Sequence, residues 1–370
     1  MPKIALYLAG GGARGAYQAG VLKAINQILQ PKTTPFTHIS GVSVGSINAS
    51  ILAQHADDFG TGVEKLTELW KNIHCDNIFY AKNYDLSKSI LRNLSHVFLR
   101  GPRPNHLLET APLHEFLSNH IDFQRIQNNI KNNLLETLEI ITHCYETQQT
   151  ISFYQHSFPD FEDWHYPRHI SRASVLNLDH ILASSALPLF FAPIKIHDMH
   201  YGDGSMGLVS PLRGTIRFKV DKILILGTRQ IHSIDDVEKL KASDISFAQV
   251  LGSMLNGLFL DNLDRDVELV NRMNEISHLL SIWKKRSSPW RPLETLHLRP
   301  SVDVAKIAQA DYHSMPKLLR FLPNILGAKS HSGDLLSFLL FESTFTQDLI
   351  NLGYHDTMQS ADEVVRFFKD

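Results

Sequence analysis

The chain has 370 residues, of which 43% are hydrophobic, and its formal net charge at pH 7 is -2. This length allows one large core or two smaller ones and excludes a small scaffold held together by disulfides. A nearly neutral charge gives no general attraction for nucleic acid or for an anionic membrane, so no nucleic-acid partner is expected. The only cysteines, Cys75 and Cys144, are predicted to be free thiols, which suits a reducing cytosol.

The start of the sequence does not resemble an export signal, because its apolar run is short and breaks into glycines. No stretch approaches the roughly 20 uninterrupted apolar residues that a membrane-spanning helix needs. We therefore expect a cytoplasmic protein whose contact with membranes, if any, is peripheral.

The first predicted elements are a strand, a glycine loop and a helix. Residues 3–9 (KIALYLA) form a short apolar run, residues 10–15 (GGGARG) form the loop, and residues 16–30 have helical spacing of apolar side chains. A second strand leads into residues 41–45 (GVSVG), and residues 46–54 (SINASILAQ) are compatible with a helix. The order strand, glycine turn, helix thus occurs twice.

The middle of the chain is predicted to be helical and then to return to strands. Residues 66–133 have a polar-rich helical pattern, broken by the loop residues 100–105 (RGPRPN). Residues 137–144, 150–156 and 222–228 are predicted strands, the last of them fully buried. Alternating strands and helices favour an α/β sandwich with mostly parallel strands.

No strand signal follows residue 230 or so, and helical periodicity takes over. We therefore predict two parts, a catalytic α/β domain at residues 1–230 and a helical C-terminal extension at residues 231–370.

The glycine loop has two interpretations. Gly10, Gly12 and Gly15 satisfy the GxGxxG pattern of dinucleotide-binding folds, which predicts a nicotinamide-dependent oxidoreductase. That fold needs an acidic residue at the end of the next strand to hold the ribose, and residues 33–40 contain none. Alternatively, consecutive glycines direct backbone N–H groups toward one point ahead of a helix, which makes an oxyanion hole.

The GVSVG segment matches the GxSxG pattern of a nucleophile elbow. Gly41 and Gly45 leave room for a sharp turn between strand and helix, which exposes the hydroxyl of Ser43. Ser43 is therefore the candidate nucleophile.

A serine nucleophile needs a base, and two arrangements remain open. Asp203 lies in YGDGSMG, where flanking glycines allow a close approach of its carboxylate. The alternative is a Ser-His-Asp triad, whose histidine would follow the acid in the chain. Its candidates are His232, His278, His297, His313, His331 and His355. His197 and His200 precede Asp203, but surface histidines are favoured over a metal site, and no metal is predicted.

These motifs together resemble the patatin-like phospholipase family, which has a GGGxxG oxyanion loop, a GxSxG elbow and a DGG or DGA motif. The resemblance covers residues 3–229. It implies a Ser-Asp dyad of Ser43 and Asp203, with Gly204 beside the aspartate. The residues assigned to the oxyanion loop are Gly10, Gly11, Gly12, Arg14 and Gly15.

A fourth family block matches residues 183–188 (ASSALP), which end at Pro188 and are interpreted as structural support. Ser205 departs from the family, which usually has glycine or alanine there. The implied fold is a three-layer α/β/α sandwich with a mostly parallel central sheet. The C-terminal part resembles the extension of bacterial members.

The resemblance implies a lipid acyl hydrolase that needs no cofactor and cleaves phospholipids, lysophospholipids or other ester lipids. The alternative is a catalytically silent scaffold of the same fold that binds lipids or proteins. Arg14 is expected either to meet a lipid phosphate or to be solvated. Residues 282–292 (IWKKRSSPWRP) combine tryptophans with basic residues and are a candidate membrane contact or an ordinary exposed loop.

Overall fold

The computed structural model describes residues 2–80, 106–158, 161–230, 247–259, 261–279, 291–314 and 333–369. The proposed loop at 100–105 and nearly all of the candidate membrane contact, residues 282–290, lie outside these ranges. Within them, no helix combines the length and the apolar character needed to cross a bilayer.

The described residues form one ten-stranded sheet in the order β10-β9-β1-β2-β3-β4-β6-β5, with β8 on β3 and β7 on β8. The strands are β1 (Ile4–Leu8), β2 (His38–Val42), β3 (Thr137–Cys144), β4 (Gln149–His156), β5 (His165–Tyr166), β6 (His169–Ala173), β7 (Ile194–Ile196), β8 (Met199–Asp203), β9 (Lys222–Leu226) and β10 (Glu294–Leu298). All pairings from β10 through β3 are parallel, and β4 and β8 run antiparallel to β3.

Helices cover both faces of this sheet. They are α1 (Ala16–Leu29), α2 (Val44–Gln54), α3 (Phe59–Lys71), α4 (Cys75–Ile78), α5 (Ala111–His120), α6 (Phe123–Lys131), α7 (Leu178–Ser184), α8 (Arg213–Arg217), α9 (Phe247–Phe259), α10 (Asp261–Leu279), α11 (Val304–Ala310), α12 (Gly333–Leu339), α13 (Ser343–Gln359) and α14 (Ala361–Lys369). Short 3-10 helices occupy Gly12–Gly15 and Asp311–Ser314.

Strand β1 shows why the molecule has three layers. Its side chains alternate between two separate cores, because successive residues of a strand point to opposite faces. Leu6 and Leu8 join the larger core, which includes α1, α2 and α3. Ala5 and Tyr7 join the smaller core, which includes apolar residues of α10. The predicted α/β/α sandwich with a mostly parallel sheet is confirmed.

The C-terminal residues pack closely on the N-terminal half. Helix α13 crosses α1 where Gly20 meets the carbonyl of Ile350 and Gly353 meets the carbonyl of Tyr17. A Cβ atom added at Gly20 or Gly353 would lie 2.0 or 2.2 Å from those oxygens. The two backbones are therefore in direct contact.

The prediction that strands end near residue 230 is wrong. Strand β10 extends the sheet beside β9, with Leu296 and Leu298 buried and parallel to Leu224 and Leu226. The remainder of the described C-terminal part is helical, as predicted. Because β10 completes one edge of the sheet, part of the C-terminal segment belongs to the central layer.

Candidate active site

The two glycine motifs meet at the carboxyl ends of neighbouring strands in the middle of the sheet. Strands β1 and β2 are parallel neighbours, so the loop after Leu8 and the turn after Val42 lie side by side at their carboxyl ends. Ser43 occupies that turn, just before α2, with φ 55° and ψ -130°. A non-glycine residue in this region is strained, and such strain is typical of functional sites. Ser43 has the backbone geometry expected of a nucleophile elbow.

Close contacts explain the glycines of the elbow. A Cβ atom on Gly41 would lie 2.4 Å from the carbonyl oxygen of Gly45, and one on Gly45 would lie 2.1 Å from that of Leu8. Both obstacles are backbone atoms, which cannot rotate away as a side chain can. Helix α2 can therefore begin directly against β1 and β2 only because neither residue has a side chain.

Three serines hold the backbone of Ser43. The Ser43 N–H donates to Ser184 Oγ at 2.9 Å, and Ser184 Oγ donates in turn to the carbonyl of Ile141 at 2.6 Å. Ser185 Oγ and Ser46 Oγ donate to the carbonyl of Ser43 at 3.2 and 2.6 Å. The ASSALP motif by itself predicts only general structural support. Its two adjacent serines were the signal for this contact.

Asp203 ends strand β8 and is fully buried. Its Oδ1 accepts the N–H of Ser205 at 2.9 Å. Its Oδ2 has no hydrogen bond of ordinary geometry to a described residue, but the Ser43 hydroxyl is close enough to stabilise the carboxylate. Burial raises the pKa of Asp203 from 3.8 to about 6, although hydrogen bonding from Ser43 and Ser205 lowers it in part. The carboxylate is thus a stronger base than an exposed aspartate.

The aspartate and the ASSALP block are bonded to each other. The N–H of Asp203 donates to the carbonyl of Ala186 at 3.1 Å, and that of Gly204 donates to the carbonyl of Ser184 at 3.4 Å. A Cβ atom on Gly204 would lie 2.0 Å from the carbonyl of Ile141. Ser205, the departure from the family pattern, is accommodated as a buried residue. Pro188 lies in the loop that follows α7.

The glycine loop borders Ser43 on the side of β1. Gly11 and Gly12 have φ of 148° and 58°, backbone conformations that favour glycine. Both residues line the same pocket as Ser43, and within the described residues their N–H groups donate to no other group. Gly10 packs on Ser43 itself, since a Cβ atom there would lie 3.0 Å from Ser43 Cβ. Gly15 contacts Val44 instead.

Arg14 is neither solvated nor exposed to a lipid phosphate, because it is buried beneath helix α12. Its Nε donates to Ser337 Oγ at 2.8 Å, and its Nη2 donates to the carbonyl and to Oδ1 of Asp334 at 3.3 and 3.2 Å. The guanidinium carbon lies 4.3 Å from the ring centroid of Phe338. Its backbone N–H donates to the carbonyl of Gly11 at 3.2 Å, so this donor is occupied within the loop.

An apolar pocket begins at Ser43. Apart from Ser43, Ser185 and the glycine loop, hydrocarbon or aromatic side chains line it, and none of these lining residues is titratable. These lining residues come from segments that are far apart in the chain: Val44, Ile47, Leu69, Trp70, Ile73, Ile78, Leu113, Phe116, Leu117, Leu187, Phe191, Phe338, Leu339 and Phe341. The sequence analysis identified none of them, because apolar helix residues have the same pattern whether they face a core or a pocket.

The described histidines lie elsewhere. None of the histidines that the structure describes lines the pocket that contains Ser43. His297, one of the triad candidates, lies in β10, where burial lowers its pKa to about 3 and Arg299 donates to its ring. His232 and His331 lie outside the described residues. His197 and His200 are exposed, and His200 contacts Glu146 at 2.7 Å.

Comparison with known proteins identifies the family. A phospholipase of Vibrio cholerae serotype O1, named cGAMP-activated phospholipase, is 24% identical over 216 residues. The match covers 56% of this chain, which spans about half (54%) of that relative. The crystal structure of VipD from Legionella pneumophila aligns over 98% of this chain and 67% of its own, with 13% identity and a TM-score of 0.36. The family model for Patatin-like phospholipase matches residues 6–216, more than half of the chain. The chain therefore belongs to the patatin-like phospholipase family.

Proposed function

We propose that the protein is a lipid acyl hydrolase that cleaves carboxylic ester bonds through an acyl-enzyme on Ser43, with Asp203 as the general base. The observation that carries the proposal is the position of Ser43. It sits in a strained turn between a buried carboxylate and a glycine loop, at the end of an apolar pocket. Membership of the family supports a lipid ester as substrate.

In the first half-reaction, Ser43 Oγ attacks the ester carbonyl carbon while its proton passes to Asp203 Oδ2. The carbonyl oxygen becomes an oxyanion, which the N–H groups of Gly11 and Gly12 stabilise. One donor of this kind contributes about 3 kcal/mol to transition-state stabilisation in a comparable hydrolase. The intermediate collapses, the alcohol leaves with the proton from Asp203, and the acyl group stays on Ser43.

In the second half-reaction, a water molecule attacks the acyl-enzyme. Asp203 accepts one proton from the water, and the same N–H groups stabilise the second oxyanion. The proton then returns to Ser43 Oγ as the carboxylic acid leaves. A pKa of about 6 suits this work, because the carboxylate is ionised at neutral pH yet more basic than an exposed aspartate.

The apolar lining of the pocket supports the proposal that the enzyme binds the acyl chain of its substrate there. Hydrocarbon side chains surround the space next to Ser43, and burial of each methylene of a substrate contributes about 0.8 kcal/mol. Phospholipids and lysophospholipids are the proposed substrates, in keeping with the name of the Vibrio cholerae relative. We propose that the enzyme acts in the cytoplasm, reaches these lipids by peripheral contact with a membrane and needs no cofactor.

A lipid panel tests this proposal. Purified protein is incubated with phosphatidylcholine, lysophosphatidylcholine and triacylglycerol, and released fatty acid is measured by mass spectrometry. We expect release from at least one lipid by the native protein and none by Ser43→Ala. Absence of release from every ester by the folded native protein would instead favour the catalytically silent scaffold.

A further inference from the structure

Two cavities border helices α2, α3 and α5 and share two of their lining residues. The first is the apolar pocket that begins at Ser43. The second is polar, with Gln54, Lys65 and Asn119 among its lining residues. Leu69 and Phe116 line both cavities. These two side chains, which we call the partition, therefore separate an apolar space from a polar one.

Helix α2 gives the direction from one cavity to the other. Val44 and Ile47, in its first turn, line the pocket next to Ser43, whereas Ile51 and Gln54 line the second cavity. Residues spaced by three or four lie on one face of a helix. At a rise of 1.5 Å per residue, Ile51 lies about 12 Å along α2 from Ser43. A chain bound at Ser43 and lying along this face meets the partition before it reaches Ile51.

The Phe116 side chain is held in place by its surroundings. Its ring centroid lies 4.4 Å from that of His120, one turn later in α5. Gln54 of α2 donates to the carbonyl of His120 at 2.9 Å and accepts the N–H of Asp122 at 2.6 Å. These bonds fix the end of α5 against α2 and so hold the backbone that carries Phe116 in place.

We propose that Phe116, together with Leu69, sets the longest acyl chain that the enzyme accepts. The inference rests on the proposed function, because it assigns the pocket to the acyl group of the substrate. Chains that end before the partition bury all their methylenes, whereas longer chains collide with the Phe116 ring. Truncation of Phe116 joins the two cavities. The far end of a long chain can then enter the second cavity, where Lys65, Glu68 and Asn119 are exposed to solvent.

The test compares kcat/KM for nitrophenyl butyrate, octanoate and palmitate. In Phe116→Ala, we expect the ratio of palmitate to octanoate to rise about tenfold over the native ratio. Phe116→Trp, which enlarges the partition, is expected to lower the same ratio. Ile73→Ala is the matched control, because Ile73 lines only the first cavity and its truncation leaves the partition closed. An equal rise of the ratio in Ile73→Ala, or no change in either Phe116 variant, would overturn the proposal.

A binding experiment separates this proposal from the proposed function. Trp70 lines the first cavity, so fatty acids that enter it are expected to change tryptophan fluorescence in the inactive Ser43→Ala protein. Palmitate is expected to bind about tenfold more tightly to Ser43→Ala/Phe116→Ala than to Ser43→Ala, with octanoate unchanged. If the native protein hydrolyses no ester but this difference appears, only the catalytic proposal fails. If the native protein hydrolyses esters but its affinity for palmitate does not depend on Phe116, only the proposal that Phe116 limits acyl length fails.

Discussion

The proposed catalytic groups and the pocket beside them are built in different ways. Ser43 and Asp203 are held by hydrogen bonds among short segments at one end of the sheet. The Ser43 N–H donates to Ser184, Ser185 donates to the carbonyl of Ser43, and the Ser205 N–H donates to Asp203. The pocket is walled by side chains from helices far apart in the chain, including α3, α5 and α12. We infer that the ester chemistry depends on local backbone geometry, whereas substrate choice depends on how distant helices pack. Changes in the two regions should therefore have different kinetic signatures.

Among variants that keep Ser43 and Asp203, the largest loss of rate is expected from Gly45→Ala in the elbow. The added methyl group would lie 2.1 Å from the carbonyl oxygen of Leu8, so α2 and Ser43 must shift. A displacement of about 1 Å at a reacting group costs about a hundredfold in rate. We expect kcat to fall by that factor for esters of every chain length. Gly60→Ala is the control, since its methyl group would meet nothing closer than 3.5 Å. A loss of activity confined to long esters would contradict the separation of ester chemistry from substrate choice.

A smaller effect is expected where the two regions meet, at the ion pair of Arg14 and Asp334. Arg14→Met removes the bonds that fix the glycine loop to α12, so we expect kcat to fall about tenfold with KM nearly unchanged. Asp334→Asn should act through the same contact, and the double variant should be no worse than Arg14→Met alone. If the losses in kcat of the two single variants add in the double variant, or if only KM changes, then α12 only lines the pocket and does not hold the glycine loop in place.

The pH dependence of the reaction should belong to the local region alone. Asp203 must be ionised to accept a proton, and its pKa is about 6. Below that pH, kcat/KM is expected to fall about tenfold per pH unit, with the same midpoint for short and long esters. Ser205→Ala removes a hydroxyl that lowers the pKa of Asp203 and should move the midpoint to higher pH. A midpoint that follows acyl length would show that the two regions are coupled.

The last effect concerns the stability of the fold and not the rate of the reaction. The pKa of Asp203 is higher in the folded protein than the ordinary 3.8, so its ionisation opposes folding as pH rises from about 4 to about 6. At pH 8 the difference corresponds to about 3 kcal/mol. Asp203→Asn is therefore expected to raise the free energy of unfolding by up to about 3 kcal/mol at pH 8 and by little at pH 4, measured in urea. Equal increases in the free energy of unfolding at both pH values would show that ionisation of Asp203 is not the cause.

The segments around Ser43 and Asp203 could be identified from the sequence because each is a short motif within a single turn. Ser43 and the glycines of its elbow lie within five residues, so they form a recognisable motif, although the contact that excludes a side chain at Gly45 is with Leu8 of β1. Strand β10 was missed although Leu296 and Leu298 alternate with His297, because a five-residue pattern of this kind is short and lies in a helical context. The partner of Arg14 could not be predicted, since Asp334 is 320 residues away in the chain.

The most direct test of the account is hydrolysis of nitrophenyl butyrate by the native protein, Ser43→Ala and Asp203→Asn, with folding checked by circular dichroism. This short ester does not reach the partition, so it reports on the catalytic groups alone. We expect kcat to fall by at least about a thousandfold in both variants, as it does when a nucleophile or its base is lost in other hydrolases. A folded Ser43→Ala or Asp203→Asn that keeps native activity would contradict the Ser43–Asp203 mechanism.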